Sequence, residues 1–483
     1  MYTFIAGIVL LIVGYFTYGK FVEKVFGVKE QRQTPAYTHS DGVDYLPMNA
    51  KKNSLIQLLN IAGVGPIFGP IMGALYGPVA FIWIVVGCIF AGAVHDYLTG
   101  MISIRNRGAH LPELAGKFLG KSMKHVVNVF AILLLLLVGT VFVTSPATLL
   151  HNLMDGAVGL GVILGCIFVY YILATFLPID KVIGRFYPVF GALLLISAVG
   201  VGIMLIVTGA PIPELTLANL HPAQAPIFPL LFLTISCGAL SGFHATQTPI
   251  ISRTTQSERH GRKIFYGMMI AEGIIAMIWA AAAMSLFRGP VGLNELLASG
   301  GPAAVVSEAS TLLLGAIGGT LAVLGVIVLP ITSGDTAFRS ARMILADYFN
   351  VGQKKIMNRL WIALPLFALS FALTKIDFTL LWRYFSWANQ STAVIALWVG
   401  AMYLFIAKRN YWIAMIPGIF MTMATMTYIL NAGIGFGLPL NVSYVVAAVI
   451  TAGITVAFYF AAYRARHRET PLEIEAKHWE LAS

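Results

Sequence analysis

Long apolar runs, separated by short polar segments, set the pattern of this chain. Crossing the hydrocarbon core of a bilayer takes about 20 apolar residues in a helix. Read against that length, the runs predict thirteen membrane helices: Tyr2–Tyr18, Leu55–Leu75, Val79–Met101, Val126–Val143, Ala157–Leu177, Pro188–Val207, Pro226–Ile250, Ile264–Phe287, Ser310–Ile331, Ile356–Leu373, Phe378–Ile406, Tyr411–Leu430 and Val442–Tyr463. The second is weakly hydrophobic, and the third follows it after only a few residues.

Basic residues test this alternation independently. Of the 31 lysines and arginines, 28 follow odd-numbered spans, and only Arg288, Lys375 and Arg383 follow even-numbered ones. Cytoplasmic loops carry such an excess. The split places the N-terminus outside and the C-terminus in the cytoplasm of a multi-pass membrane protein, with the bilayer as its first partner. Composition then excludes other classes. The chain has 483 residues, 58% hydrophobic and 11% charged, against about 25% charged in soluble domains. So few charges cannot cover a soluble globule, and 12% aromatic residues exclude disorder. The net charge of +11 sits on the cytoplasmic face beside anionic lipid, which removes the case for nucleic acid. Cys88, Cys166 and Cys237 lie in apolar runs and read as core-filling thiols.

The first apolar stretch lacks a basic leader and reads as a retained helix. Lys20 to Asn53 reads as a loop without helical or strand period, and 464–483 as a cytoplasmic tail. Two spans are abnormal. The second contains Asn60, Gly63, Gly65, Pro66, Gly69, Pro70 and Gly73, and no continuous helix is expected from Gly63 to Pro70. The seventh contains Gly238, Ser241, Gly242, Phe243, His244, Thr246, Gln247 and Pro249 and is interrupted too. Small-residue helix packing is the alternative account of these glycines. Unwound backbone at membrane depth otherwise lines a cavity. Each abnormal span opens a group of five spans, and five is odd, so the second group enters from the opposite side. The expected fold is therefore an all-α polytopic membrane protein of about 13 transmembrane helices with a 5+5 inverted-repeat (LeuT-like) core. Its parts are 1–54 (an extra helix and cytoplasmic loop), 55–208 and 226–406 (the two repeats), 411–463 (two further helices) and 464–483 (the tail).

At this point the residues resemble a family. Asn60-Ile-Ala-Gly-Val-Gly-Pro-Ile-Phe-Gly-Pro-Ile, Phe90-Ala-Gly-Ala-Val-His-Asp-Tyr, Arg105-Asn-Arg-Gly, Ser241-Gly-Phe-His-Ala-Thr-Gln-Thr, Phe265-Tyr-Gly-Met-Met-Ile-Ala-Glu-Gly and Pro330-Ile-Thr-Ser-Gly-Asp-Thr-Ala-Phe-Arg-Ser are similar to the carbon starvation protein A family over Leu55 to Asn350. The resemblance implies an inner (cell) membrane secondary transporter of peptides or pyruvate, related to the amino acid–polyamine–cation superfamily and proton-coupled in its pyruvate members. It also implies that Thr332 and Ser333, with freed backbone carbonyls near Gly63, are a candidate sodium site, since hard cations take oxygen ligands.

Ionisable groups at membrane depth are functional candidates by default. Glu272 lies eight residues into its span, at about 12 Å depth by helical rise. With no base in reach it is expected to carry a proton, a structural hydrogen bond being the alternative. His95 and Asp96 are further proton-coupling candidates, or simply meet water and the Arg105–Arg107 loop. Asp335 and Arg339, four apart, form an expected gate ion pair. Glu308 reads as an acid in the first turn of its span. Asn389 and Gln390 face inward as pathway lining or interhelical hydrogen-bonding groups. Substrate-binding candidates are thus Asn60, Gly63, Gly65, Pro66, Gly238, Ser241, Gly242, Phe243, His244, Gln247, Asn389 and Gln390. There is no phosphate loop, zinc spacing or other cofactor signature, and no catalytic residue is expected. The sequence therefore points to ion-coupled import of a small carboxylate-bearing nutrient, with a non-transporting sensor or an ion channel as alternatives. Oligomeric state is left open.

Overall fold

The computed structural model describes residues 1–42, 44–176, 179–353, 355–468 and 470–473, with the side chains of 179–191 and 194 excepted. Leu177, Lys354 and the tail from 474 to 483 fall outside the described residues, as do the side chains of Lys181 and Arg185. Among the described residues the regular elements are helical. The first are α1 (Tyr2–Phe16), α2 (Tyr18–Phe26), α3 (Pro35–Thr38), α4 (Ala50–Ala62) and α5 (Gly65–Gly73). Then come α6 (Val79–Gly87), α7 (Ala93–Arg105), α8 (Leu111–Phe118), α9 (Lys121–Leu153), α10 (Leu160–Phe176), α11 (Ile179–Val207), α12 (Ile227–Thr234), α13 (Gly242–Ser252) and α14 (Gly267–Leu286). The chain closes with α15 (Gly289–Phe349), α16 (Ile356–Leu373), α17 (Phe378–Ile406), α18 (Trp412–Asn431) and α19 (Leu440–His467).

Nine described helices are long and apolar enough to cross a membrane, and the α4–α5 pair, bent by 47°, makes a tenth. The other three expected spans coincide with α10, only 17 residues long, with α11, and with the discontinuous α12 and α13. Burial sorts inside from outside. The most apolar window of α17 is 89% buried, while those of α16 and α19 are 22% buried. α17 is therefore an interior helix, and α16 and α19 present Trp361, Val445 and Phe460 outward, as a lipid-facing surface requires. α9 lies at the centre, against α8, α10, α15 and α17.

Several expectations are corrected. The segment after the first span is not a structureless loop. Helix continues through α2 to Gly27 at φ 73°, burying Val22 and Phe26, and α4 already begins at Ala50. The break in the second span is confined to Gly63–Val64. Helix resumes at Gly65 because Pro66 falls in the first turn, where its missing N–H is no loss, and α5 carries Pro70 inside it. α15 is interrupted at Gly301 and Gly315, both at positive φ. Glu308 thus sits in the middle of the helical stretch between those glycines, not in a first turn. Cys88 and Cys237 are buried, but Cys166 is exposed on α10 and fills no core.

Candidate functional site

The two discontinuities meet. Gly63, at φ 43°, ends α4, a conformation glycine adopts without strain. Residues 235–241 between α12 and α13 are non-helical, with Gly238 at φ 86°. A side chain at Gly65 would overlap Cys237, and one at Gly242 would strike the Asn389 carbonyl. The Cβ of Ala276 in α14 stands 2.5 Å from where a Cβ on Gly238 would be, and Cα of Pro66 stands 3.7 Å from it. A Cβ on Gly69 would stand 3.0 Å from the Thr234 carbonyl oxygen, and one on Gly73 would overlap Ile235. The half-helices are thus in van der Waals contact. Close packing of small residues accounts for Gly69 and Gly73, and it applies at Gly65 as well. Gly65 meets the Cys237 side chain, not open space.

Asn389 of α17 organises the start of α13. Its Oδ1 accepts from the Phe243 backbone N–H at 2.7 Å and from the Ser241 hydroxyl at 3.2 Å. Its Nδ2 donates to the Ser236 carbonyl at 3.4 Å. A side chain from another helix thereby fills the role of an N-cap. Gln390 donates to the Phe232 carbonyl at 2.9 Å. Gln247 donates to Thr246 and to Ser340 of α15. Asn60 and Gln57, one helical turn apart at the end of α4, are fully buried, and all four of their amide atoms lack a hydrogen-bond partner among the described residues.

The ionisable candidates converge. Asp96 accepts from Nδ1 of His95 at 2.8 Å on one oxygen and from Nδ1 of His244 at 2.8 Å on the other. Nε2 of His244 lies 3.3 Å from Oε2 of Glu272. All four side chains are 0% exposed. Three helices contribute: α7, the first turn of α13, and α14. Glu272 also borders the break, since its neighbour Gly273 would place a Cβ 3.4 Å from the Gly238 carbonyl oxygen. Two expectations fail here. Glu272 does have a base within reach, His244. Nor do His95 and Asp96 meet water or the Arg105–Arg107 loop, because they turn inward toward His244. Both histidines donate Nδ1–H to Asp96 (a tautomer assigned from the hydrogen bonding), so Nε2 of His244 is left to face Glu272. Helical turns of the wider π type, at Cys88–Gly92 and Arg262–Tyr266, precede the two carboxylates. Such turns recur at functional sites.

The remaining candidates lie on α15. Arg339 pairs with Asp335 at 3.5 Å, both nearly buried. Ser333 donates to the Leu59 carbonyl at 2.8 Å, one of the carbonyls freed by the end of α4. Thr332 donates to Leu329 of its own helix at 2.7 Å. The two hydroxyls therefore take different directions. Sequence reasoning missed the ion pair that ties the basic face together. Glu258, fully buried, takes Arg105 in a two-pronged bond at 2.9 and 2.8 Å, and accepts from the Lys29 backbone N–H at 2.9 Å. Its signal was an acidic residue inside a run of Arg and Lys. At the opposite end of α1, Glu214 accepts from the Met1 ammonium at 2.7 Å and from Thr3. The ammonium and Thr3 hold its carboxyl down at about 2.

Comparison with known proteins finds relatives by sequence and by fold. Residues 1–162, 157–295 and 291–428 match the family described as "Carbon starvation protein CstA". An uncharacterized membrane protein of Haemophilus influenzae is 50% identical over 61% of this chain and 93% of its own length. The peptide transporter CstA of Escherichia coli (strain K12) is 26% identical over 88% of this chain and 80% of its own. The pyruvate/proton symporter BtsT of the same organism is 26% identical over 59% of this chain, and about half of it (49%) is covered. Among solved structures, the Eremococcus coleocola manganese transporter superposes with a TM-score of 0.55 at 12% identity, covering 89% of this chain and 98% of the other. That likeness is one of fold.

Proposed function

The chain belongs to the carbon starvation protein CstA family, and on that premise we propose that it is a proton-coupled secondary transporter. It imports a small carboxylate-bearing nutrient, pyruvate or a short peptide, across the inner membrane by alternating access. The observation that carries this reading is the buried chain His95–Asp96–His244–Glu272, which ends at the break between α12 and α13. In this reading 55–208 and 226–406 are the two inverted repeats, the N-terminus is outside, and the substrate sits between the two breaks.

The residues divide the work. The starts of α5 at Gly65 and α13 at Gly242 bring two helix N-termini to the gap, which suits an anionic group once Asn389 gives up the Phe243 N–H. In the closed form Cys237 and Asn389 occupy that space, so the carboxylate enters as the half-helices separate and replaces the Asn389 acceptor at Phe243. The His244–Glu272 pair holds one proton, as imidazolium and carboxylate or as imidazole and carboxylic acid. Substrate entry next to Gly238 changes which form is favoured and lets the proton travel with the substrate. The Asp335–Arg339 pair lies on the side of α15 that meets α10 and α16, opposite Ser333, so in this reading it braces α15 and is not the gate expected from the sequence.

Sodium coupling is the second reading, and the Ser333–Leu59 contact favours it, since a cation there would take the same carbonyl and hydroxyl oxygens. One experiment separates the two: uptake and counterflow of labelled pyruvate and dipeptides into proteoliposomes, with an imposed pH gradient or a sodium gradient. Accumulation that follows the pH gradient and ignores sodium supports the proton reading. Sodium-dependent uptake that Ser333→Ala abolishes overturns it. Binding without any uptake overturns transport itself, in favour of a sensor.

A further inference from the structure

The connection between α11 and α12 is tied down at both ends. Residues 208–226 form no helix. Near the start, the Ile212 carbonyl accepts from the Met1 ammonium at 2.9 Å, and the Leu215 N–H donates to the Thr3 hydroxyl at 2.9 Å, which fastens the segment to the beginning of α1. Near the end, it lies across the turn that follows α5. The Leu220 N–H donates to the Tyr76 carbonyl at 3.3 Å, and the His221 ring stands against the Tyr76 ring with centroids 4.7 Å apart. Gly77, at φ 79°, makes room for this contact, since a Cβ there would stand 2.7 Å from Cδ1 of Leu220.

The place of this contact matters. Tyr76 lies one turn beyond Gly73, where α5 packs against Leu231 and Ile235 at the end of α12. Beyond His221 the chain turns and enters α12 at Pro226. The segment therefore bridges the end of α5 and the start of α12. These are two of the half-helices that must part if substrate is to enter from outside.

His221 shapes the turn between them. Its N–H donates to Oδ1 of Asn219 at 3.1 Å, its carbonyl accepts from the Gln224 N–H at 2.8 Å, and its Nδ1 accepts from the Ala223 N–H at 3.2 Å. A ring nitrogen that accepts belongs to a neutral imidazole with its proton on Nε2. Protonation makes Nδ1 a donor facing a donor, and it charges a ring half-buried against Tyr76. Burial lowers His221 below the usual 6.5. Among the described residues Tyr76 is the titratable group facing the ring, with Tyr428 of α18 acting on Tyr76 in turn. Glu214, on the same segment, is taken up by Met1 and Thr3. The contact thus holds fewer protons formed than released, so it is favoured above pH 6.5 and loses ground as pH falls through that value.

We propose that 208–226 is an outer latch, which holds α5 to the start of α12 through Leu220 and His221 on Tyr76 and lets go when His221 takes a proton from outside. Its purpose rests on the transport reading: an acidic exterior frees the entrance that proton-coupled import uses.

The test is hydrogen–deuterium exchange of the full chain in lipid nanodiscs, without substrate, at about pH 7.5 and about pH 5, on either side of an ordinary histidine. Rates are corrected for the intrinsic pH dependence of amide exchange and read by mass spectrometry. Peptides over 219–225, 65–73 and 231–238 are expected to exchange about five-fold faster at the lower pH, the equivalent of one net hydrogen bond. His221→Phe keeps a ring against Tyr76 but no acceptor, and is expected to show the faster rate at both pH values. His221→Asn keeps an acceptor that does not titrate, and is expected to show one rate at both. Protection that the parent keeps unchanged at the lower pH, or a pH step that His221→Asn retains, overturns the latch. So does loosening confined to 219–225, which would make the contact a local turn. Because no substrate is present, exchange that follows this pattern stands even if the proteoliposomes show no uptake, and pH-independent exchange removes the latch while leaving uptake intact.

Discussion

Glu272→Gln tests the proton path directly. Asp96 fixes both histidines by accepting their Nδ1 protons at 2.8 Å, so Nε2 of His244 faces Oε2 of Glu272 at 3.3 Å. As an ion pair, these groups attract by about 5 kcal/mol at an effective dielectric constant of about 20, from 332/(20 × 3.3). Keeping two ions out of water costs several kcal/mol each. The cost of the two ions opposes this attraction, and the Asp96 carboxylate adds support on the histidine side, so the position of the proton depends on the surroundings and a change around Gly238 moves it. Glutamine preserves the shape and donates from its amide to Nε2, as the protonated acid would, but it has no proton to release. Binding and counterflow of substrate are therefore expected to continue. Uphill accumulation is not. One pH unit equals about 1.4 kcal/mol, or about tenfold accumulation for one coupled proton, and the variant should fall to no accumulation under the same gradient. The assay is labelled uptake into proteoliposomes with the interior held about one pH unit more alkaline, as tenfold effects need. A Glu272→Gln protein that accumulates substrate like the parent refutes the reasoning and makes Glu272 structural.

Gly65→Ala forces a Cβ into Cys237 and is expected to cost about 1–3 kcal/mol by overpacking; Cys237→Gly in the same chain should restore part of the lost melting temperature and uptake, and no restoration would show that the half-helices are held apart elsewhere. Asn389→Ala removes the acceptor at Phe243 and Ser241 and should lower stability by about 1–2 kcal/mol, as lost caps do, while Asn389→Asp, which keeps an acceptor there, should lose less. Glu214 is held down at about 2, from an ordinary 4.5, by the Met1 ammonium and Thr3; a lowered carboxyl contributes above its ordinary value and loses that contribution as pH falls toward the folded one. The melting temperatures of parent and Glu214→Gln should therefore differ at pH 6 and converge as pH falls from 4.5 toward 2, and a pH-independent difference would count against the clamp.

What the sequence made legible follows range. Hydrophobic runs and Gly–Pro clusters are local signals, so the polytopic helical fold and the two discontinuities could be read before any coordinates. Local reading also erred where position inside the element mattered. Pro66 reads as a helix breaker, yet falls in a first turn that tolerates it. Lys20 and Lys24 read as loop charges, yet lie on a helix whose other face buries Gly19, Val22 and Phe26. The partners of the candidate site are long-range. Asp96 meets His244 across 148 positions, and Asn389 meets Phe243 across 146. Glu272 could be singled out as a buried acid and His244 as a candidate on the broken span, but their pairing could not be read, because no periodicity within one helix records which residue of another helix faces it.

Asn60 carries the remaining argument. Buried polar atoms in native proteins are nearly always hydrogen-bonded, and an unmade bond costs about 1–3 kcal/mol. Asn60 and Gln57 leave four amide atoms without partners among the described residues, one turn from the Gly63 break. Ser333, on the facing helix, bonds to the intervening Leu59 carbonyl instead. Selection for stability alone would replace such an amide by an apolar group of the same size. Its presence in this place is explained if its partners arrive with substrate or water when the breaks separate. Asn60→Leu, close in volume, is then expected to raise the unfolding free energy of the empty protein by about 1–2 kcal/mol, within the range for relieving an unsatisfied group, and to abolish substrate binding in the same preparation. Binding is read by substrate-induced thermal shift, stability by the melting temperature without substrate. A variant that is less stable and still binds would mean that Asn60 serves the resting fold, and would remove it from the site.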